Sequence, residues 1–255
     1  MKTILIKENS GIFTITINRI LDGNSINEIL MMELNEALAI AEKNPAIKII
    51  AIEGKEGLFC TGMDFKEITN KEVVDTSSFS QYMETLKRIS LLPKIIVSKV
   101  DGQVVAGGVG FVASSDYAIA TSRSQFSLSE ALWGLLPACV LPYLIRRVGF
   151  QIAYRMVLTT NIVSAEQACK DHLVDEVNEN LDEALRKLYL RVSRLEEKTI
   201  HDLKQYFRKL WIIKGEMEQT AVTEITRLMK EPRTMENIHS FINQGIFPWE
   251  KRKAS

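Results

Sequence analysis

The sequence predicts an α/β protein whose strands form a largely parallel sheet or a spiral of sheets, followed by a helical C-terminal tail. Two observations carry that expectation. Up to about residue 177, stretches rich in β-branched residues alternate with stretches of helical period, and strands separated by helices need crossover connections that leave them parallel. Beyond that point Leu, Ile and Tyr recur at helical spacing among many charges as far as Ile242, with Pro232 as the main break.

Residues 2–8 and 11–18 alternate with period two and flank Asn9-Ser10-Gly11, the pattern of a β-hairpin. After the polar Asp22-Gly23-Asn24-Ser25, apolar residues at 26, 30, 31, 34, 38 and 40 predict an amphipathic helix to about Ala41. Ile47–Ile52 reads as a buried strand closed by Glu53-Gly54. The predicted order is then a helix at 76–91, a strand at 95–100, a Gly-rich turn, a helix at 107–115 and a strand at 116–120. Leu173–Val177 is the last predicted strand. The chain divides into a core, 1–195, and a helical region, 196–255, which is either a lid over the core or an oligomerisation arm; no linker composition, repeat or low-complexity segment separates them.

Of the 255 residues, 46% are hydrophobic, and 32 basic residues balance 32 acidic ones, which argues against disorder and against non-specific nucleic-acid binding. Cys60, Cys139 and Cys169 show no CxxC spacing, and His172, His201 and His239 form no HExxH pattern, so neither a disulfide framework nor a metal site is expected. The start of the chain carries Lys7 and Glu8 where a signal peptide needs apolar residues, and no apolar run reaches membrane-spanning length. A soluble cytoplasmic protein, binding neither membrane nor nucleic acid, is expected.

Three segments can carry chemistry. In Gly102-Gln-Val-Val-Ala-Gly-Gly-Val-Gly110, Gly107 and Gly108 stand at a strand-to-helix junction, where bare backbone N–H groups favour developing negative charge; the same pair serves equally well for tight packing, and the glycine spacing is not GxGxxG. In Gly57-Leu-Phe-Cys-Thr-Gly-Met-Asp-Phe-Lys-Glu67, a turn at Gly62 leads into a short helix capped by Asp64 and offers the Met63 N–H. In Phe126-Ser-Leu-Ser-Glu130-Ala-Leu-Trp-Gly134-Leu-Leu-Pro137, Glu130 is either a carboxylate whose pKa is raised among apolar neighbours or a solvated partner of Ser127 in a capping box. Two such backbone donors from separate loops are what an oxyanion hole requires, and a carboxylate of raised pKa suits proton transfer.

Taken together, FCTGMDFKEI, VVAGGVGFVASSDYAIA and FSLSEALWGLLP, in this order and at these separations, resemble the crotonase, or enoyl-CoA hydratase/isomerase, superfamily over nearly the whole chain. The resemblance implies a crotonase-like spiral of ββα units assembled as a homotrimer or hexamer through its C-terminal helices. It implies an acyl thioester substrate on coenzyme A or on the phosphopantetheine of an acyl carrier protein, and no further cofactor. By motif position it makes the Met63 and Gly107 N–H groups an oxyanion hole, with Gly62, Asp64, Gly108 and Cys139 as candidate substrate contacts. Hydratases of fatty-acid oxidation carry two glutamates; here the first position is Gly110, and Glu130 alone remains. That pattern, with LeuProAlaCysVal at 136–140 and the ending GIFPWE, is similar to the PksH-type dehydratases of polyketide β-branching cassettes. The implied reaction is dehydration of a 3-hydroxy-3-methylglutaryl group on acyl carrier protein. Δ3,Δ2-enoyl-CoA isomerisation, the decarboxylation of the same cassettes and a non-catalytic acyl-thioester binding module are the rival readings.

Other residues carry two readings each. Cys60 and Cys139 fill the core, or Cys139 lines the acyl pocket. Tyr82 is either structural or a hydroxyl for the β-oxygen. Arg146-Arg147 meet phosphates or an acidic carrier, or pair with carboxylates in the core. Lys87, Arg88 and Lys94 are expected on solvated faces, and the three histidines in structural or surface positions.

Overall fold

The computed structural model describes residues 1–69, 76–211 and 215–251. At the predicted hairpin, Ser10 and Gly11 take left-handed backbone, φ 48° and 80°, and join β1 (Ile4–Asn9) to β2 (Ile12–Ile17) with Asn9 opposite Ile12. The next helix, α1 (Glu28–Lys43), starts later than its periodicity suggests because Asn27 caps it, its Oδ1 accepting from the Leu30 N–H at 2.9 Å.

From α1 onward the chain repeats one path three times. β3 (Ile49–Glu53) and β4 (Leu58–Cys60) lead to α2 (Phe65–Thr69) and α3 (Thr76–Leu91). β5 (Ile95–Val100) and β6 (Gln103–Val105) lead to α4 (Gly107–Ser114), and β7 (Tyr117–Ala120) and β8 (Gln125–Ser127) to α5 (Glu130–Trp133). With β9 (Val163–Ser164) and β10 (Glu176–Val177), two sheets result, ordered β1-β2-β3-β5-β7-β10 and β4-β6-β8-β9. Each turn thus adds one strand to each sheet, the spiral of ββα units that the motifs imply. All pairs are parallel except the β1–β2 hairpin and the β8–β9 edge.

The inner strands β3, β5 and β7 of the larger sheet are buried on both faces, which is why they read as near-continuous apolar runs, whereas β1 and β2 keep the alternation of a half-exposed hairpin. Along β3, Ile50 and Ile52 join the main core, whereas Ile49 and Ala51 pack with Val97 and Ile119 under Ala184 and Leu185 of α9 (Leu181–Val192). The predicted strand at 173–177 shrinks to β10 because the Leu173 and Val174 N–H groups both bond to the Ala168 carbonyl, at 2.8 and 3.2 Å, closing the end of α8 (Ala165–Lys170).

The remaining helices are α6 (Leu141–Val148), α7 (Phe150–Thr159), α10 (Glu197–Leu210), α11 (Gly215–Met229), α12 (Pro232–Gln244) and α13 (Pro248–Lys251). Pro232, expected as a break, opens α12 at a first-turn position that has no N–H to satisfy. Helices of the predicted tail return onto their own chain: α11 packs on α3, α12 on α2 and α5, and α13 on α5. Residues 212–214 and 252–255 of that tail lie outside the described residues. Among the described residues no helix is long and apolar enough to cross a membrane.

Candidate active site

The smaller sheet places the candidate groups. β4, β6 and β8 are adjacent and parallel, and each ends just before one of them: Met63 follows β4, Gly107 follows β6 and Glu130 follows β8. All three line one cavity of about 820 Å³. Its position beyond the carboxyl ends of parallel strands is where ligands of α/β sheets generally bind.

The Met63 N–H is aimed by its neighbours. The Ile26 N–H donates to the Gly62 carbonyl at 2.7 Å, and the Asp64 N–H donates to the Ile26 carbonyl at 2.8 Å. Residues 62 and 64 therefore face Ile26, and in an extended segment the N–H between them faces the other way. The Arg19 guanidinium fixes this loop from behind, donating to Asp64 Oδ2 at 2.9 Å. Asp64 Oδ1 in turn accepts from the Lys66 N–H at 3.1 Å and caps α2. Gly107 opens α4, where a helix N–H has no intrahelical acceptor. Neither N–H donates to any group among the described residues.

Ala106, just before Gly107, has φ 51° and ψ −119°, a strained conformation for a residue with a Cβ. Its own N–H is held by the Ser127 carbonyl at 2.9 Å, so the turn is anchored to the end of β8. The two loops touch: a Cβ on Gly62 would stand 2.7 Å from the Ala106 Cβ and 3.3 Å from the Gly107 nitrogen. A left-handed φ of 89° at Gly62 makes the turn that allows this approach.

Glu130 begins α5. Ser129 occupies the N-cap position without a side-chain hydrogen bond, so the capping-box alternative is not formed. Glu130 Oε2 is instead buried with no hydrogen-bond partner. Burial disfavours the charged form and pushes the carboxyl up to about 7, its own backbone N–H offsetting only part of the effect. A carboxyl poised near neutrality can take a proton and return it.

Across the cavity stands the tail. Trp133, one helical turn after Glu130, meets Phe65, Phe241, Phe247 and Trp249 edge-on at centroid distances of 5.1, 5.2, 6.0 and 6.1 Å. Asn237 of α12 donates to the Trp133 carbonyl at 3.4 Å. The helix that carries Glu130 is thus packed against C-terminal residues of the same chain. Trp133→Ala is expected to destabilise the fold by about 3 kcal/mol, read by urea unfolding, and to expose 241–249 to limited proteolysis.

Of the candidate contacts, Asp64 and Cys139 line the cavity. Gly62 and Gly108 are not among the residues that line it, and Gly108 packs so closely that a Cβ would lie 2.5 Å from the Cys60 carbonyl oxygen. The Cys60 and Cys139 thiols are both pushed up to about 12 by burial and stay protonated. Lys87, Arg88 and Lys94 pair with Glu218, Glu42 and Glu197, at 3.0, 2.9 and 2.7 Å; Lys94 is buried rather than solvated. Arg147 pairs with Asp175, and Arg146 stacks on Trp211 at 4.4 Å; both line a second cavity, away from Glu130. Lys66 is the one cation among the described wall residues, and it was missed because an exposed helix lysine carries no sequence signal. Among the described residues no group of His, Cys, Asp and Glu could hold a metal.

Comparison with known proteins bears on this geometry. Residues 7–253 match the family model for enoyl-CoA hydratase/isomerase. The bacillaene synthase dehydratase PksH of Bacillus subtilis is 35% identical over 98% of this chain and 97% of its own length. A trans-2-decenoyl-[acyl-carrier-protein] isomerase of Streptococcus mutans is 29% identical over 82% of each chain. A crystal structure of a polyketide biosynthesis enoyl-CoA hydratase, PksH, from Bacillus subtilis superposes with a TM-score of 0.89 at 34% identity, covering 96% of this chain and 99% of that one.

Proposed function

The chain belongs to the enoyl-CoA hydratase/isomerase family and is a lyase of its hydratase and dehydratase kind, and on that premise we propose that it dehydrates a 3-hydroxy-3-methylglutaryl thioester on acyl carrier protein to the 3-methylglutaconyl thioester. The observation that carries the reading is the single buried, unpartnered carboxylate oxygen of Glu130 on the wall of a cavity that also holds two unpaired backbone N–H groups.

In this mechanism the thioester oxygen accepts from the Met63 and Gly107 N–H groups. Glu130 takes the α-proton, and the C–H electron pair moves into the enolate, whose oxygen gains charge. Each preorganised donor binds that charge better than the neutral carbonyl, by about 3 kcal/mol. The enolate then collapses to the Cα=Cβ bond as the Cβ–O bond breaks, and Glu130 returns its proton to the leaving hydroxyl, releasing water. One carboxyl acts on one face, a syn elimination. Lys66 is the available cation for the substrate's free carboxylate.

The carrier-protein form of the substrate is supported by two relatives, one named a bacillaene synthase dehydratase and one named for an acyl-carrier-protein substrate. Incubation with 3-hydroxy-3-methylglutaryl-ACP, followed by mass spectrometry of the acyl group, tests it. Loss of one water is expected. An unchanged acyl mass, with turnover of a 3-enoyl thioester to its 2-enoyl isomer, would assign the isomerase reaction instead, which needs the same hole and the same glutamate.

Assembly as a homotrimer or hexamer is part of the same reading. The exposed stripe Phe150, Tyr154 and Leu158 on α7 and the exposed Leu203, Tyr206, Phe207 and Leu210 on α10 leave large apolar side chains in solvent on the single chain. A monomeric mass in solution would overturn it.

A further inference from the structure

We propose that the Tyr82 hydroxyl is a catalytic group, the second polar contact to the β-oxygen that leaves as water, seated where a side chain at position 110 would otherwise begin. The proposal rests on the dehydratase reading.

Tyr82 lies on α3, 3% exposed, and lines the cavity together with Glu130 and Cys139. Its hydroxyl donates to the Gly107 carbonyl at 2.5 Å. A Cβ placed on Gly110 would stand 2.0 Å from the Tyr82 hydroxyl oxygen and 3.2 Å from both its Cζ and Leu86 Cδ1. No side chain can share that space with the phenol. The absence of a side chain at 110 and the presence of the tyrosine are therefore one feature: the polar atom at this point on the wall is supplied from α3 instead of from α4. Phe111 meets the Tyr82 ring edge-on at 5.7 Å, so the phenol is held from a second side.

The chemistry suits the place. A phenol whose hydrogen is committed to the Gly107 carbonyl keeps oxygen lone pairs free to accept. The β-hydroxyl of the substrate can donate to them while its own oxygen turns towards the protonated Glu130. Burial, with Cys139, Cys60 and Glu130 nearby, keeps the phenol well above its ordinary pKa, so it stays neutral throughout the cycle. It therefore orients the leaving oxygen without competing with Glu130 for the α-proton.

This role separates from that of Glu130 in one pair of measurements. Deuterium exchange at the α-carbon of a 3-methylglutaryl thioester, which has no β-hydroxyl, reports enolate formation alone. Dehydration of the 3-hydroxy-3-methylglutaryl thioester reports enolate formation and loss of the β-oxygen. Tyr82→Phe is expected to leave α-exchange within about twofold of wild type and to lower kcat for dehydration about 10- to 100-fold. Glu130→Gln is expected to abolish both. Gly110→Ala, which drives a methyl into the phenol oxygen, should reproduce the Tyr82→Phe defect, and the double variant should be no worse than Tyr82→Phe and should melt above Gly110→Ala. Equal losses of exchange and dehydration in Tyr82→Phe would place the hydroxyl with the enolate and overturn the proposal, as would unchanged dehydration. A wild-type protein that neither exchanges nor dehydrates would instead remove the dehydratase reading on which the proposal stands.

Discussion

Glu130→Gln is expected to slow dehydration at least about 100-fold, because the amide can neither accept the α-proton nor deliver one to the leaving hydroxyl. The substitution is nearly isosteric, so stopped-quench assays with the carrier-bound thioester should show the loss in kcat. The wild-type pH profile should follow the same group. Glu130 must be ionised to act as base, so kcat/KM should rise with pH through a midpoint set by its raised value of about 7.

The same carboxyl carries a stability signature of opposite sense. Its pKa is raised from 4.5 to about 7 on folding. Below the lower value it is protonated in both states and contributes no pH dependence. Between the two values the unfolded chain loses the proton while the folded one keeps it, so stability falls as pH rises through this window and levels off above it. The full loss is of order 3 kcal/mol. Glu130→Gln removes it, so the inactive variant should resist urea better than wild type at pH 8 and equally at pH 4. A variant less stable than wild type at pH 8 would mean that the carboxylate has partners in solution.

Gly62→Ala is the second change of large expected effect, although Gly62 touches no substrate. A methyl there meets the Ala106 Cβ at 2.7 Å and the Gly107 nitrogen at 3.3 Å, at a φ of 89° that Ala adopts only with strain. The two loops must part, and with them the Met63 and Gly107 N–H groups that the proposed mechanism sets on one oxygen. A fall in kcat of about 100-fold is expected, close to the removal of one donor, with a stability loss of about 1–3 kcal/mol. Wild-type kcat in a folded Gly62→Ala variant would show that the hole does not depend on this contact.

Much of this architecture was legible in residue patterns that act locally. Asn9-Ser10-Gly11 announces its hairpin because two consecutive left-handed residues are needed there. The apolar runs of β3 and β5 announce burial on both faces. Met63, Gly107 and Glu130 could be placed because each lies in a short motif whose order matches a known pattern. What escaped depends on partners far apart in sequence. Nothing near Tyr82 announces that its hydroxyl reaches the Gly107 carbonyl and occupies the room left by Gly110. Nothing near Arg146 and Arg147 announces their contacts, since Trp211 and Asp175 come from distant segments. Gly62 and Gly108 attract attention as glycines, yet their reason is the backbone or side chain packed behind them.

The arrangement of β4, β6 and β8 also serves as a ruler. Adjacent strands lie about 4.8 Å apart. An oxygen held about 2.9 Å from two N–H nitrogens at that separation sees them at an angle of about 110°, close to the spread of the two lone pairs of a carbonyl. β6 lies between its neighbours, so Met63 and Gly107 follow two adjacent strands and Glu130 follows the next one along, a pitch that suits the proposed pair of donors. In the proposed reaction, the spacing of the three groups would then derive from hydrogen-bonded backbone rather than from side-chain conformation.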